Sequence, residues 1–324
     1  MLRNLVQLLI AGTFWLCLTS PTASAQFAGV DYPHPVHFLN LTIESKPVRM
    51  AYMDVKPAQP NGKTVLLLHG KNFNGYYWKT VIQWLTQRGY RAIVPDQIGW
   101  GKSSHPDIHY SFHRLAASTK LLLDTLGIPN VTVLAHSMGG MLGTRFALMY
   151  PEKVEKLVLE NPIGLEDYKT FVPYQTIEQQ YRKEQSATPE SYRQYQKSYY
   201  PVWKPEYDDL VRVQASDLKS PDFNAIAWAN AVTYLMIYEQ PVCYEFSRLT
   251  TPTLLIIGQA DRTVVGKNLL SNELQAQHGN YPELGKQTAR LLRNGKLVEL
   301  AGVGHIPHMQ EPERFFKALG DFLQ

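Results

Sequence analysis

Residues 131–140 constrain the fold of this chain more than any other segment. They read Val-Thr-Val-Leu-Ala-His-Ser-Met-Gly-Gly, so a short apolar run, suited to a buried strand, leads directly into a predicted helix, Met138–Met149. Small residues, Ala135 and Gly139, flank Ser137, and a sharp strand-to-helix turn needs them to avoid side-chain clashes. Such a turn exposes a hydroxyl at the carboxyl end of a strand, beside a helix N-terminus. We therefore predict that Ser137 is a nucleophile.

Short apolar runs alternate with helical patterns along the rest of the chain. Two extended stretches, 36–43 and 48–55, predict an antiparallel pair of strands. Further strands are predicted at 64–68, 91–95, 131–135, 154–159, 253–257 and 297–300, and helices at 77–88, 112–126, 138–149 and 313–322. This alternation predicts an α/β fold with a doubly wound, mostly parallel sheet.

Residues 163–250 interrupt the alternation. This segment holds eleven of the 19 tyrosines, from Tyr168 to Tyr244, among many Gln, Glu and Lys residues, and it has no short strand runs. We expect a helical cap over one edge of the sheet, inserted into a core made of residues 26–162 and 251–324. The tyrosines pack amphipathic helices in this interpretation, and some of them line a cavity between cap and sheet.

Residues 1–25 have the pattern of an export signal. An early basic residue precedes an apolar run at 5–18, and an A-x-A site at 23–25 predicts cleavage before Gln26. A membrane anchor is one alternative, but the run is short for a hydrocarbon core of ~30 Å. A lipoprotein modified at Cys17 is another, and the bulky residues before that cysteine disfavour it. We expect an exported protein, periplasmic or secreted, with no stable membrane anchor after leader cleavage.

Composition excludes several other classes of protein. The chain has 32 Lys+Arg and 28 Asp+Glu residues without a block of like charges, which argues against a nucleic-acid partner. Without the leader, Cys243 is the one remaining cysteine, so no intramolecular disulfide is possible and we expect it to pack as a small apolar residue.

Three histidines have the spacing of metal ligands on a helix. His105, His109 and His113 are spaced by four, but Pro106 prevents them from lying on one helix. We predict no metal site.

A serine nucleophile needs a base, and the base needs an orienting acid. We predict His305 as the base, because it follows the last predicted strand in a glycine-rich loop; His308 is the alternative. We predict Asp261 as the acid, four residues beyond a strand, with Glu160 as the alternative. The resulting chain order, Ser then Asp then His, is the order of one particular serine hydrolase architecture.

Hydrolysis of an acyl group also needs hydrogen-bond donors for the oxyanion of the tetrahedral intermediate. The backbone N–H of Met138, directly after Ser137, is one predicted donor. The backbone N–H of Lys71 is the other, because Gly70 allows the chain to turn after the first buried strand.

Several motifs together resemble the α/β-hydrolase superfamily, and more narrowly its capped, esterase-like members. They are His69-Gly70, Asp96-Gln97-Ile98-Gly99-Trp100-Gly101-Lys102-Ser103, His136-Ser137-Met138-Gly139-Gly140, Asp261 and Gly304-His305. The resemblance covers residues 36–322. It implies a triad of Ser137, Asp261 and His305, a small-molecule acyl substrate and no cofactor.

Departures from the family's patterns narrow the expected chemistry. Haloalkane dehalogenases and epoxide hydrolases of this fold attack with an aspartate, whereas this chain has Ser137. Proline iminopeptidases and carbon–carbon hydrolases usually have a Gly-Pro-Gly oxyanion loop, whereas Lys71-Asn72-Phe73-Asn74 stands here. We expect a serine hydrolase of a carboxylic ester or related acyl compound. The alternatives are a carbon–carbon hydrolase or acyltransferase on the same fold, and a binding protein without activity. The long connection from Asp261 to His305 predicts an additional helix.

Overall fold

The computed structural model describes residues 30–324, so the predicted leader 1–25 and its cleavage before Gln26 lie outside the described residues. The strands are β1 (Val36–Ile43), β2 (Lys46–Val55), β3 (Thr64–Leu68), β4 (Arg91–Pro95), β5 (Val131–His136), β6 (Val154–Glu160), β7 (Thr253–Gly258) and β8 (Gly295–Leu300). They form one sheet in the order β1-β2-β4-β3-β5-β6-β7-β8. Strand β2 is antiparallel to both its neighbours, and every other neighbouring pair is parallel. The predicted α/β fold with a mostly parallel sheet is confirmed.

Helices cover both faces of this sheet. They are α1 (Lys79–Thr86), α2 (Phe112–Thr125), α3 (Met138–Met149), α4 (Ile177–Gln185), α5 (Pro189–Lys197), α6 (Asp208–Ala215), α7 (Phe223–Glu239), α8 (Asn272–Gln277), α9 (Tyr281–Leu291), α10 (Pro307–Gln310) and α11 (Pro312–Leu323). In β3, Leu66 and Leu68 join a hydrophobic cluster with α2, α3 and α9, whereas Val65 and Leu67 join a second cluster with α1 and α11. The two clusters lie on opposite faces because side chains alternate along a strand.

The loop between β1 and β2 is shorter than the sequence indicates. The hairpin turn consists of Glu44 and Ser45, both with positive φ (49° and 61°), so β2 begins at Lys46 rather than at residue 48. Two consecutive left-handed residues form the tight turn whose twist matches a hairpin. The turn lacks the Asn-Gly or Asp-Gly pair that identifies it in a sequence.

The predicted helix 77–88 is also divided in the structure. A 3-10 turn, Gly75–Trp78, precedes α1, because the Asn74 side chain accepts a hydrogen bond from Tyr76 N–H and starts the turn early. Helix α1 ends at Thr86, ahead of Gly89, which has a φ of +83°.

Helices α4 to α7 lie in the segment between β6 and β7. Capping boxes at Thr176 and Thr188 start α4 and α5, each satisfying two otherwise free backbone donors. The edge of the sheet that these helices cover is the carboxyl-terminal one. Tyr199, after α5, contacts Asn72 after β3 and His305 after β8. Helices α8 and α9 lie in the connection where the sequence predicts an additional helix. Of the helices within residues 30–324, none has the length and apolarity to cross a membrane.

Candidate active site

Ser137 occupies the sharp turn between β5 and α3. Its φ is +55°, a left-handed conformation that a non-glycine residue rarely adopts. The surroundings explain the small residues: a Cβ on Gly139 would lie 2.2 Å from the Leu68 carbonyl oxygen, and one on Gly140 would lie 2.4 Å from Pro162 Cβ. The backbone N–H of Ser137 donates to the Glu160 carbonyl oxygen at 3.2 Å, which ties the turn to β6.

The structure brings Ser137, His305 and Asp261 into one chain of hydrogen bonds. His305 Nε2 lies 2.9 Å from Ser137 Oγ, and His305 Nδ1 lies 2.7 Å from Asp261 Oδ2. All three residues are buried. A carboxylate at Nδ1 favours the tautomer in which Nε2 can accept a proton from the hydroxyl.

The two alternative residues pair with each other instead. His308 Nδ1 lies 2.9 Å and 3.0 Å from the oxygens of Glu160, which also accepts a hydrogen bond from the His308 backbone N–H. Within residues 30–324, neither the His308 nor the Glu160 side chain is hydrogen-bonded to the side chain of Ser137 or His305. His308 stacks on Trp78, with ring centroids 4.7 Å apart. Glu160 and His308 therefore form a buried pair that is separate from the hydrogen bonds joining Ser137, His305 and Asp261.

Asn161 and Thr263 orient Asp261. Asn161 Nδ2 donates to Asp261 Oδ2 at 2.8 Å, and the Thr263 backbone N–H donates to Asp261 Oδ1 at 2.8 Å. Burial alone would raise the pKa of Asp261, but the interactions with His305, Thr263 and Asn161 outweigh it and hold this pKa below its ordinary value. The carboxylate is therefore ionised at neutral pH. Sequence reasoning missed both residues; Asn161 offered one signal, its place directly after a strand at the carboxyl edge.

The predicted oxyanion donors are the backbone N–H groups of Lys71, in the loop after β3, and of Met138, directly after Ser137. The Gly70 carbonyl oxygen faces Phe73 N–H at 3.1 Å and His69 Nδ1 at 2.9 Å. Because a trans peptide holds its C=O and N–H antiparallel, the Lys71 N–H points away from those two groups. Within residues 30–324, neither the Lys71 nor the Met138 N–H donates to a protein acceptor.

A cavity of about 230 Å³ lies between the core and helices α4 to α7. Ser137, Lys71 and Asn72 line it from the core. Four of the tyrosines line it from the other side, namely Tyr192, Tyr195, Tyr199 and Tyr234. Its volume is below the ~300–1,000 Å³ of pockets for drug-sized molecules, so it suits a small ligand.

Other candidate sites lack the required arrangement. In the part of the chain that the structure describes, no three His, Cys, Asp or Glu side chains are grouped to hold a metal ion, and His105, His109 and His113 are no exception. Burial, followed by the charge of Asp167, raises the pKa of the Cys243 thiol, which makes it a poor nucleophile at neutral pH.

Comparison with known proteins identifies the family. Residues 63–312 match the family model described as the alpha/beta hydrolase fold, and the chain belongs to that family. A crystal structure of a probable hydrolytic enzyme from Pseudomonas aeruginosa PAO1 is similar, with 48% identity, a TM-score of 0.90 and coverage of 91% of this chain and 96% of that one.

Curated relatives are more distant and chemically varied. A haloalkane dehalogenase from Mycolicibacterium paratuberculosis is 34% identical over 134 residues, which are 40% of this chain and 44% of the dehalogenase. The match thus spans less than half the length of that relative. A putative carbamate hydrolase from Pseudomonas syringae is 29% identical over 271 residues, covering 80% of this chain and 93% of that protein.

Proposed function

We propose that this protein is a serine hydrolase that cleaves a carboxylic ester or a related acyl compound without a cofactor. The observation that carries the proposal is the chain of hydrogen bonds from Ser137 Oγ through His305 to Asp261, with separations of 2.9 Å and 2.7 Å. These lengths lie within the range over which a base can take a proton from a nucleophile.

The proposed reaction has two halves. In the first, His305 Nε2 takes the proton of Ser137 as Oγ attacks the carbonyl carbon. The Lys71 and Met138 N–H groups then stabilise the oxyanion, and His305 gives the proton to the leaving alcohol. In the second half, His305 takes a proton from water, whose oxygen attacks the acyl-enzyme. The proton returns to Ser137 Oγ as the acid leaves.

The serine separates this proposal from the activity named for the dehalogenase relatives. Those enzymes match part of the chain in sequence. The residue in the sharp turn of this chain is Ser137, and an alkyl-enzyme formed on a serine would be an ether that water does not readily cleave. A carbonyl substrate avoids this problem because its acyl-enzyme is an ester.

Labelling with a fluorophosphonate, followed by peptide mass mapping, tests the proposal. We expect one adduct, on Ser137, that disappears in Ser137→Ala and is greatly reduced in His305→Ala. Ser186→Ala is the matched control, because Ser186 lines the same cavity without contacting His305, and it should still be labelled. An adduct elsewhere, or none in the folded protein, would refute the proposal. Product analysis with p-nitrophenyl esters and an added alcohol then distinguishes hydrolysis from acyl transfer.

A further inference from the structure

The Lys71 side chain lies in the cavity, and the proposed reaction does not use it. Only 15% of it is exposed, and it lines the cavity together with Ser137. Within residues 30–324 its ammonium makes no hydrogen bond, and the carboxylate within 4 Å is that of Glu184 on α4, at 3.9 Å. This distance is too long for a hydrogen bond.

In its protonated form, the Lys71 side chain is a buried ammonium group without hydrogen-bond acceptors among residues 30–324. It carries three N–H donors, and removing them from water is unfavourable unless acceptors replace the water. Burial lowers the pKa of Lys71, Glu184 opposes that effect and the positive charge of Lys183 adds to it. A further negative charge beside Lys71 would therefore favour its ammonium form.

The charges that line the cavity are unbalanced. Lys71 and Lys183 are cations, and Glu184 is the one anion among the lining residues within 30–324. Lys183 is exposed on α4, where it can attract an anion before it enters. The remaining lining residues are mainly tyrosines, amides and hydroxyl-bearing side chains, which can offer hydrogen bonds to an oxygen-rich ligand.

We propose that the cavity selects short acyl substrates that carry a second, anionic group, a carboxylate, which binds the Lys71 ammonium while Ser137 attacks the ester. This inference rests on the proposed serine hydrolase function. The small volume of about 230 Å³ sets the acyl part to a few carbons. The negative charge of Glu184 weakens the attraction between Lys71 and an incoming carboxylate.

A pair of esters tests the selection. In mono-p-nitrophenyl glutarate a carboxylate replaces the terminal methyl group of p-nitrophenyl pentanoate, so the two differ chiefly in charge. We expect the wild-type protein to favour the glutarate at least ~10-fold in kcat/KM, the discrimination of about one charge-assisted hydrogen bond. Equal rates, a preference for pentanoate, or a preference for an ester with a terminal ammonium would overturn the inference.

Substitutions of Lys71 and of Glu184 should change this preference in opposite directions. Lys71→Met should abolish the preference for glutarate, and Lys71→Arg, which keeps the charge, should retain part of it. Glu184→Gln should increase it. Lys169→Met is the matched control, because the Lys169 ammonium also lies 3.9 Å from a carboxylate, that of Asp167, but outside the cavity. A Glu184→Gln protein with a weaker preference would contradict the model.

Ligand binding separates this inference from the proposed function. Calorimetric titration of Ser137→Ala with monomethyl glutarate should show binding that Lys71→Met, in the same background, reduces at least ~10-fold. If wild-type protein hydrolyses both esters equally and the ligand does not bind, the substrate class is wrong and the hydrolase function stands. If the ligand binds through Lys71 but no ester is cleaved, the anion site stands and the hydrolase function fails.

Discussion

The backbone carbonyl oxygen of Tyr199 accepts a hydrogen bond from the backbone N–H of His305 at 2.7 Å. The Tyr199 ring also stacks on the His305 imidazole, with centroids 4.8 Å apart and planes inclined by 28°. Its hydroxyl accepts a hydrogen bond from Asn72 Nδ2 at 2.8 Å. Tyr199, which follows α5, therefore contacts both the proposed base and the proposed oxyanion loop.

Tyr199 should act as a positioning residue. We expect Tyr199→Leu, which removes the stacked ring and the hydroxyl, to lower kcat ~10–100-fold with little change in KM, because small displacements of a base are costly. Tyr199→Phe keeps the ring and should recover most of that loss. Tyr200→Phe is the control, since Tyr200 stacks on Tyr207 instead, and its kcat should match the wild type. Steady-state kinetics on a p-nitrophenyl ester provides the measurement; a rise in KM alone in Tyr199→Leu would indicate a binding role.

The buried carboxylates of Asp261 and Glu160 should respond differently to amide substitution. Asp261→Asn should reduce kcat by roughly 10³–10⁴-fold with the fold intact, because His305 loses its orienting charge. Glu160→Gln should leave kcat within a few-fold, while the free energy of unfolding falls by about 1–3 kcal/mol as His308 loses a carboxylate oxygen that accepts its hydrogen bonds. Single-turnover kinetics and urea denaturation check both. The reverse pattern would make Glu160 the acid of the site.

Asp217 should make stability depend on pH. Burial, followed by the negative charge of Asp96, raises the pKa of Asp217 from 3.8 to about 7. Between pH 3.8 and about 7, Asp217 is protonated in the native state but ionised in the unfolded chain. The free energy of unfolding therefore falls as the pH rises through this interval. Asp217→Asn should therefore equal the wild type near pH 4 and exceed it at pH 8, by on the order of 2 kcal/mol. Urea denaturation at both pH values measures this, and the exposed Asp222→Asn should show no such difference.

Gly304 should not tolerate a side chain. A Cβ at this position would lie 2.1 Å from the Tyr199 carbonyl oxygen, so Gly304→Ala must displace the loop that carries His305. We expect a loss of about 1–3 kcal/mol in the free energy of unfolding and a lower kcat. Gly320→Ala, inside α11 with its nearest neighbour 3.4 Å away, is the contrast, because alanine favours a helix. Equal thermal stability of the two variants would contradict the expected clash.

The sequence predicts best what depends on neighbouring residues. The strand-to-helix turn at Ser137 is visible because its small residues are adjacent in the chain, and β3 and β4 have the predicted bounds because buried strands are short apolar runs. His305 and Asp261 follow strands, so their common edge of the sheet could be inferred.

Contacts between distant segments could not be predicted in this way. Asn161 reaches Asp261 across 100 positions, and Asn72 reaches Tyr199 across 127. The pairing of Glu160 with His308 likewise depends on how β6 and α10 approach each other. No local pattern encodes these distances, because each contact joins segments that the fold brings together from distant parts of the chain.

The close approach of Gly304 to Tyr199 limits how this protein can be recombined with its relatives. A chimera that receives a foreign segment between β6 and β7 also receives a foreign carbonyl above the His305 loop, while Gly304 and Asn72 remain with the host. Grafts intended to change specificity should therefore transfer Asn72, Tyr199 and Gly304 together. A library that shuffles the inserted helices alone should yield many folded proteins with impaired turnover.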